Sequence, residues 1–199
     1  MTPPPSPLAA LAEEAARCRA CDLWKVGTQT VFGAGPPGAR LVLVGEQPGD
    51  EEDKAGEPFV GPAGRLLDDA IDEAGLARDE LYVTNAVKHF KWEARGKRRI
   101  HQRPNRTEVV ACHQWLEREL AVIDPDAVLV ALGAIAGQSL FGPSFRVGAA
   151  RGVELDLDGR PVVATIHPSA VLRSRTSQER AQAYQKLVTD LRRAGELAR

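Results

Sequence analysis

Several side chains able to do chemistry follow directly on apolar runs. Glu46 and Gln47 come after Leu41–Gly45, Asn85 ends the run that begins at Leu81, and His167 follows Val162–Ile166. Glu46 could act as a base or stabilise a cation, or be a solvated loop acid. The Asn85 amide has donors and an acceptor, enough to read the edge of a planar heterocycle, or it could stabilise its own turn. His167 could donate to an oxygen on which negative charge develops, or serve structure alone. Phe59, between Pro58 and Val60, could stack on a flat ring or plug the core. Cys18 and Cys21 form a CxxC and Cys112 lies far downstream, so these are either unrelated thiols or ligands of one metal centre.

The runs that carry these residues alternate with helical patterns. Strands are expected at Leu41–Gly45, Leu81–Val87, Ala127–Leu132 and Val162–Ile166. Helices are expected from Leu8 to about Cys21, from Pro62 to Gly75, from Thr107 to Val122, from Ala134 to Leu140 and from Ser177 onward. Glu46–Pro62 reads as a loop and residues 144–159 as irregular strand and turn. Short buried strands alternating with helices imply an α/β fold, a mostly parallel sheet covered on both faces. Ligands of such folds sit beyond the carboxyl ends of the strands, where Glu46, Asn85 and His167 would converge.

With 199 residues, 43% hydrophobic and 27% charged, one globular domain is expected over residues 8–199, behind a Pro-rich, frayed tail at 1–7. The longest uncharged apolar run, Ala127–Gly137, is 11 residues, well short of the ~20 that a spanning helix needs. No export signal is visible, so a cytoplasmic protein is expected, with no disulfide framework. No dimer signal is evident, and a monomer is expected. The net charge of −1 hides an asymmetry: Lys88–Arg106 holds eight cations and one anion, a net +7 against −8 for the rest of the chain. A basic segment on an acidic chain suggests a polyanion-binding surface.

The motifs GEQPG at 45–49, PFVGPAGRLLD at 58–68, YVTNAVK at 82–88, the VVAC of 109–112 and HPS at 167–169 together resemble the uracil-DNA glycosylase superfamily, and more narrowly its iron–sulfur family 4. The resemblance runs from Cys18 into the last helix. It implies a three-layer α/β/α sandwich with a four-stranded, mainly parallel sheet, uracil-containing DNA as partner (single-stranded or with the base flipped from a duplex), and DNA repair as the default role. By this resemblance Gly45, Glu46 and Gln47 form the first catalytic motif, Phe59 stacks on uracil, Asn85 bonds its edge and His167 stabilises charge on its O2. The loop of Ser169 through Leu172 would press on the DNA.

Three departures make the chain similar to the cross-linking UdgX branch of that family. Gln47 stands where Ala is usual, His89 where the family has its third cysteine, and the segment before Cys112 carries Lys97-Arg98-Arg99-Ile100-His101. In that branch the histidine of this loop becomes joined to DNA, which implies His101 as nucleophile, with Glu46 accepting its proton or orienting its ring. Gln47 is expected to hold the sugar or displace water, and Lys97, Arg98 and Arg99 to contact phosphates. A [4Fe–4S] cluster on Cys18, Cys21, His89 and Cys112 is implied, with zinc as runner-up and His113 as a competing ligand. A turning-over family 4 enzyme and a non-catalytic nucleic-acid binder remain as alternatives.

Overall fold

The computed structural model describes residues 6–199. Ser6 accepts the Ala9 N–H and Pro7 opens helix α1 (Pro7–Ala15), so the fold starts one residue earlier than expected, and residues 1–5 lie outside the described residues. The helix also stops six residues short of Cys21. Its last carbonyl, Ala15, accepts both the Cys18 N–H and the Thr30 hydroxyl, which turns the chain out of the helix and leaves the CxxC on an irregular segment.

The remaining elements are β1 (Leu41–Gly45), α2 (Asp50–Ala55), α3 (Pro62–Glu73), β2 (Tyr82–Asn85), β3 (Trp92–Arg95), β4 (Arg98–His101), α4 (Arg106–Val122), β5 (Val128–Leu132), α5 (Ala134–Phe141), α6 (Val147–Ala150), β6 (Leu155–Leu157), β7 (Arg160–Thr165), α7 (Pro168–Leu172) and α8 (Ser177–Leu197). The main sheet has the order β2-β1-β5-β7-β6. Its first four strands are parallel, as the alternating pattern implies. The expected four strands become five: β6 turns back antiparallel on β7 through Asp158-Gly159, both at positive φ, the two-residue turn that matches strand twist.

Side chains alternate along β1. Val42 and Val44 face a layer of α1, α4 and α5, while Leu41 and Leu43 face α3, α7 and α8. The apolar stripe of α3 (Leu66, Leu67, Ala70 and Ile71) is buried as its spacing predicts. No described helix is long and apolar enough to cross a membrane.

The basic segment and the Glu46–Pro62 loop are more ordered than expected. The first folds into a separate two-stranded ribbon, β3–β4, with Gly96 at φ 61° opening its turn. The second contains α2.

A buried ion pair fixes the edge of the sheet. The Glu119 carboxylate on α4 accepts from Tyr82 Oη (2.8 Å), Thr84 Oγ1 (2.9 Å), the Gly33 N–H (3.0 Å) and the Lys88 ammonium. Lys88 Nζ also donates to the Asn85 carbonyl (2.8 Å), so the pair holds the strand end that carries Asn85. Both side chains are almost wholly buried, which makes a single loss costly. Glu119→Leu should lower unfolding stability by about 3–5 kcal/mol in urea titrations, and adding Lys88→Met should recover part of that loss.

Candidate active site

Parallel pairing sets Gly45 beside Asn85 at the ends of β1 and β2. Gly45 is needed there because a Cβ would collide with Asn85 Oδ1 and with the tip of the Phe59 ring. Phe59 is buried and held at φ 60°, a left-handed backbone that a bulky residue adopts only under constraint. Gly64 leaves room for that path, since any side chain there would strike the Phe59 backbone. The Phe59 ring lies 6.3 Å from the His167 ring, tilted by 30°. Among the described residues, Asn85 Oδ1 and His167 Nε2 are both buried with no hydrogen-bond partner. Buried polar atoms are rarely left so, and two at one site point to a ligand that satisfies them.

His167 caps α7. Its Nδ1 accepts the Ser169 N–H at 3.2 Å and lies 2.8 Å from Ser169 Oγ. An atom that accepts a backbone N–H carries no proton, so the proton is on Nε2 and points into the site as a donor. Burial, then the Arg173 cation and the charge that His101 carries when protonated, push the His167 pKa down to about 4, so the ring is neutral near pH 7. The Ser169 hydroxyl also accepts from Arg173 Nη1 (3.0 Å) and is engaged in holding His167 rather than free for DNA. Val171, expected to press on DNA, is fully buried against α3 and α8, because α7 turns that side of the segment into the core.

The Gln47 amide holds the ribbon to the end of β1. Its Oε1 accepts the Lys91 N–H (3.3 Å), and its amino group faces Lys91 O (3.3 Å), Gln102 O (3.0 Å) and His101 Nε2 (2.9 Å). The backbone partners decide the amide orientation. An amino group cannot accept, so His101 Nε2 is the unprotonated nitrogen and its proton sits on Nδ1. Gln47 therefore grips the ribbon and His101, rather than the sugar region. The Glu46 carboxylate lies 3.7 Å from that same Nε2, beyond hydrogen-bond reach, so Glu46 takes no proton from it in this arrangement. The Nε2 lone pair is taken up by the Gln47 amino group, and the His101 ring and the Glu46 carboxylate line the same pocket. Burial raises the Glu46 pKa against the pull of Arg103 and Arg173, and burial with Arg173 lowers that of His101.

These groups line an open pocket of about 490 Å³ with Glu46, Gln47, His101 and His167 on its walls. Arg103 and Arg173 line it too and supply its positive potential; sequence reasoning missed both as site residues, since neither sits in a motif that marks it. Phe59 and Asn85 are not on its walls and lie behind Gly45.

Lys97 and Arg98 are exposed at and beside the ribbon turn. Arg99 is not available as a phosphate contact. Its guanidinium bonds Asp50, Asp53 (2.6 Å) and Thr28 Oγ1 (3.1 Å), because alternation along β4 turns it inward onto α2.

A second group of residues could hold a metal centre. Cys18 Sγ accepts the Trp115 indole N–H and Cys112 Sγ the Lys88 N–H, each at 3.2 Å. The thiols are close enough to feel one another: burial raises the Cys112 pKa to about 11, with Cys21 and Cys18 adding to it. His89 is buried and its pKa lowered by that burial. Its Nε2 lies 3.1 Å from Thr30 Oγ1, whose only proton goes to Ala15 O, so Nε2 carries the proton and Nδ1 is left as an electron-pair donor. His113 instead faces Ser139 and Glu117. Among the described residues, no three such side chains already surround a common single-ion position. Three thiols, two of them accepting N–H bonds, and a neutral imidazole suit a multinuclear iron–sulfur group.

A family model described as the uracil DNA glycosylase superfamily matches residues 32–192. A type-4 uracil-DNA glycosylase of Thermotoga maritima is 39% identical over 173 residues, 85% of each chain. Another, of Archaeoglobus fulgidus, is 37% identical over 195 residues, 94% of this chain and 91% of its own. The chain belongs to the uracil-DNA glycosylase superfamily, in its type-4 family. A type-5 uracil-DNA glycosylase of Thermus thermophilus is 35% identical over 124 residues, 55% of this chain and 53% of its own.

The two site histidines should titrate apart. In nitrogen-15 NMR spectra, His167 should keep its proton on Nε2 and stay neutral until the pH falls to about 4. His101 should stay neutral at pH 7, its proton on Nδ1, and gain charge only below the ordinary value of 6.5.

Proposed function

We propose that this chain is a uracil-DNA glycosylase that excises uracil and is then captured on the resulting sugar through His101. The single observation that carries the second half is the unprotonated Nε2 of His101, 3.7 Å from the Glu46 carboxylate on the wall of the same pocket; to attack carbon its lone pair must leave the Gln47 amino group. Uracil bound at these strand ends would stack on Phe59, meet the Asn85 amide and place its O2 at His167 Nε2. The C1′–N1 bond breaks with both electrons leaving on uracil, and His167 Nε2–H stabilises the anion at O2. The oxocarbenium-like sugar left behind is attracted to Glu46. The His101 Nε2 lone pair then bonds C1′, and the imidazolium formed loses its Nδ1 proton to solvent. An N-alkylated imidazole is a poor leaving group, so turnover stops. Neutral histidines suit both steps, one as donor and one as nucleophile.

The substrate is DNA in which uracil is unpaired or flipped, since a stacked base could not reach Asn85. Arg103, Arg173 and the exposed Lys97 and Arg98 support phosphate contacts beside the pocket. Cys18, Cys21, Cys112 and His89 are proposed to hold a [4Fe–4S] cluster that supplies no reaction step. It ties the segment after α1, the residues after β2 and helix α4 together.

A second reading, a turning-over glycosylase, is favoured by the exposure of His101, whose side chain is 49% accessible and leaves water a path to C1′. Incubation with a uracil-containing single strand followed by a denaturing gel separates the two. The proposal predicts a uracil-dependent protein–DNA band that survives heat and detergent, absent with a thymine control. His101→Ser and His101→Gly should abolish the band yet still release free uracil. Band yield should fall on the acid side, where His101 gains a proton. Free uracil and abasic sites without a band would favour the second reading.

A further inference from the structure

Arg103 faces two cavities. One is the pocket of the active site; the other, about 500 Å³, is a groove between the N-terminal part of α4 and the length of α5. Its apolar wall includes Val109, Ile135 and Leu140, together with Val110, which is 64% exposed. Arg103 and Arg106 are its charged lining, and no carboxylate lines it. Neither guanidinium has an ion-pair partner among the described residues, so both are free to meet an anion. The groove therefore sets an apolar wall against two uncompensated cations.

We propose that this groove holds an unpaired nucleotide of the same DNA strand, next to the excised uracil, with its phosphate against Arg103 and Arg106 and its base on the apolar wall. This rests on the reading of the chain as a uracil-DNA glycosylase. Continuity through Arg103 makes the groove the extension of the catalytic pocket. The charge suits phosphate, and the apolar wall suits any base face, as in binding without sequence preference. A cavity of this size takes one nucleotide and not a duplex. A paired flank could not enter, so the groove favours single-stranded substrates.

The test uses fluorescein-labelled single strands carrying 2′-fluoroarabinouridine, which resists excision, with thymine strands as controls. The labelled analogue nucleotide alone is compared with strands extended from it by three nucleotides on the 5′ or the 3′ side, by fluorescence anisotropy. Extension on one side should tighten binding about tenfold in the unaltered protein. In Val110→Asp and Arg106→Glu that gain should fall to about threefold or less. Neither change threatens the fold, since Val110 is exposed and an acid in the first turn suits the helix dipole. The same gain in variants and unaltered protein, or no gain on either side, would overturn the groove assignment while leaving uracil recognition intact. No preference for the uracil analogue over thymine, with no uracil released from ordinary substrate, would overturn the reading on which the groove rests.

Discussion

A single buried amide joins the two halves of this site. Gln47 leaves the end of β1 and meets backbone groups on both sides of the β3–β4 ribbon as well as the His101 ring. Without that joint the ribbon would be an appendage held by its exposed basic residues. With it, the ribbon end that carries His101 is fixed to the strand that carries Glu46. Arg99 reinforces the joint from the other side by bonding two carboxylates of α2. Two independent anchors make the position of His101 a property of the sheet rather than of a loop, which is what the proposed role of His101 as nucleophile would require.

Backbone geometry then makes opposite assignments at the two histidines. The Ser169 N–H forces the His167 proton onto Nε2, whereas the Gln47 amino group forces the His101 proton onto Nδ1. One ring becomes a donor and the other an electron-pair donor, both neutral because burial disfavours their charged forms. On the far side of β2, Lys88 ties the Asn85 carbonyl to Glu119 through its ammonium and donates its backbone N–H to Cys112 Sγ. The strand end that carries Asn85, the proposed reader of the base, is therefore in direct bonded contact with the cysteine-rich region, and a cluster there would brace the same edge.

Much of this was legible in the residues. The four apolar runs are the four parallel strands, and the polar residues that follow them meet at one end because parallel strands all finish on the same side. The face of α3 followed from spacing alone. What escaped is instructive. The fifth strand is three residues long, too short for alternation to register, although the Asp158-Gly159 turn signalled it. Composition marked the basic segment as a polyanion surface, but only pairing reveals that alternate residues face opposite ways, so Arg99 turns inward while Lys97 and Arg98 stay exposed. Ser169 and Gln47 carry polar groups that their own neighbours take up. Arg103 and Arg173 enter the site through tertiary packing and leave no local pattern.

The central claim is that His101 Nε2 becomes bonded to the sugar. The most direct measurement is tandem mass spectrometry of peptides from protein incubated with a uracil-containing single strand and then digested with protease and nuclease. The account predicts one peptide, containing His101, that carries the added deoxyribose, with fragment ions locating the mass on the imidazole. The same mass on another residue, or complete uracil release with no modified peptide, would contradict it.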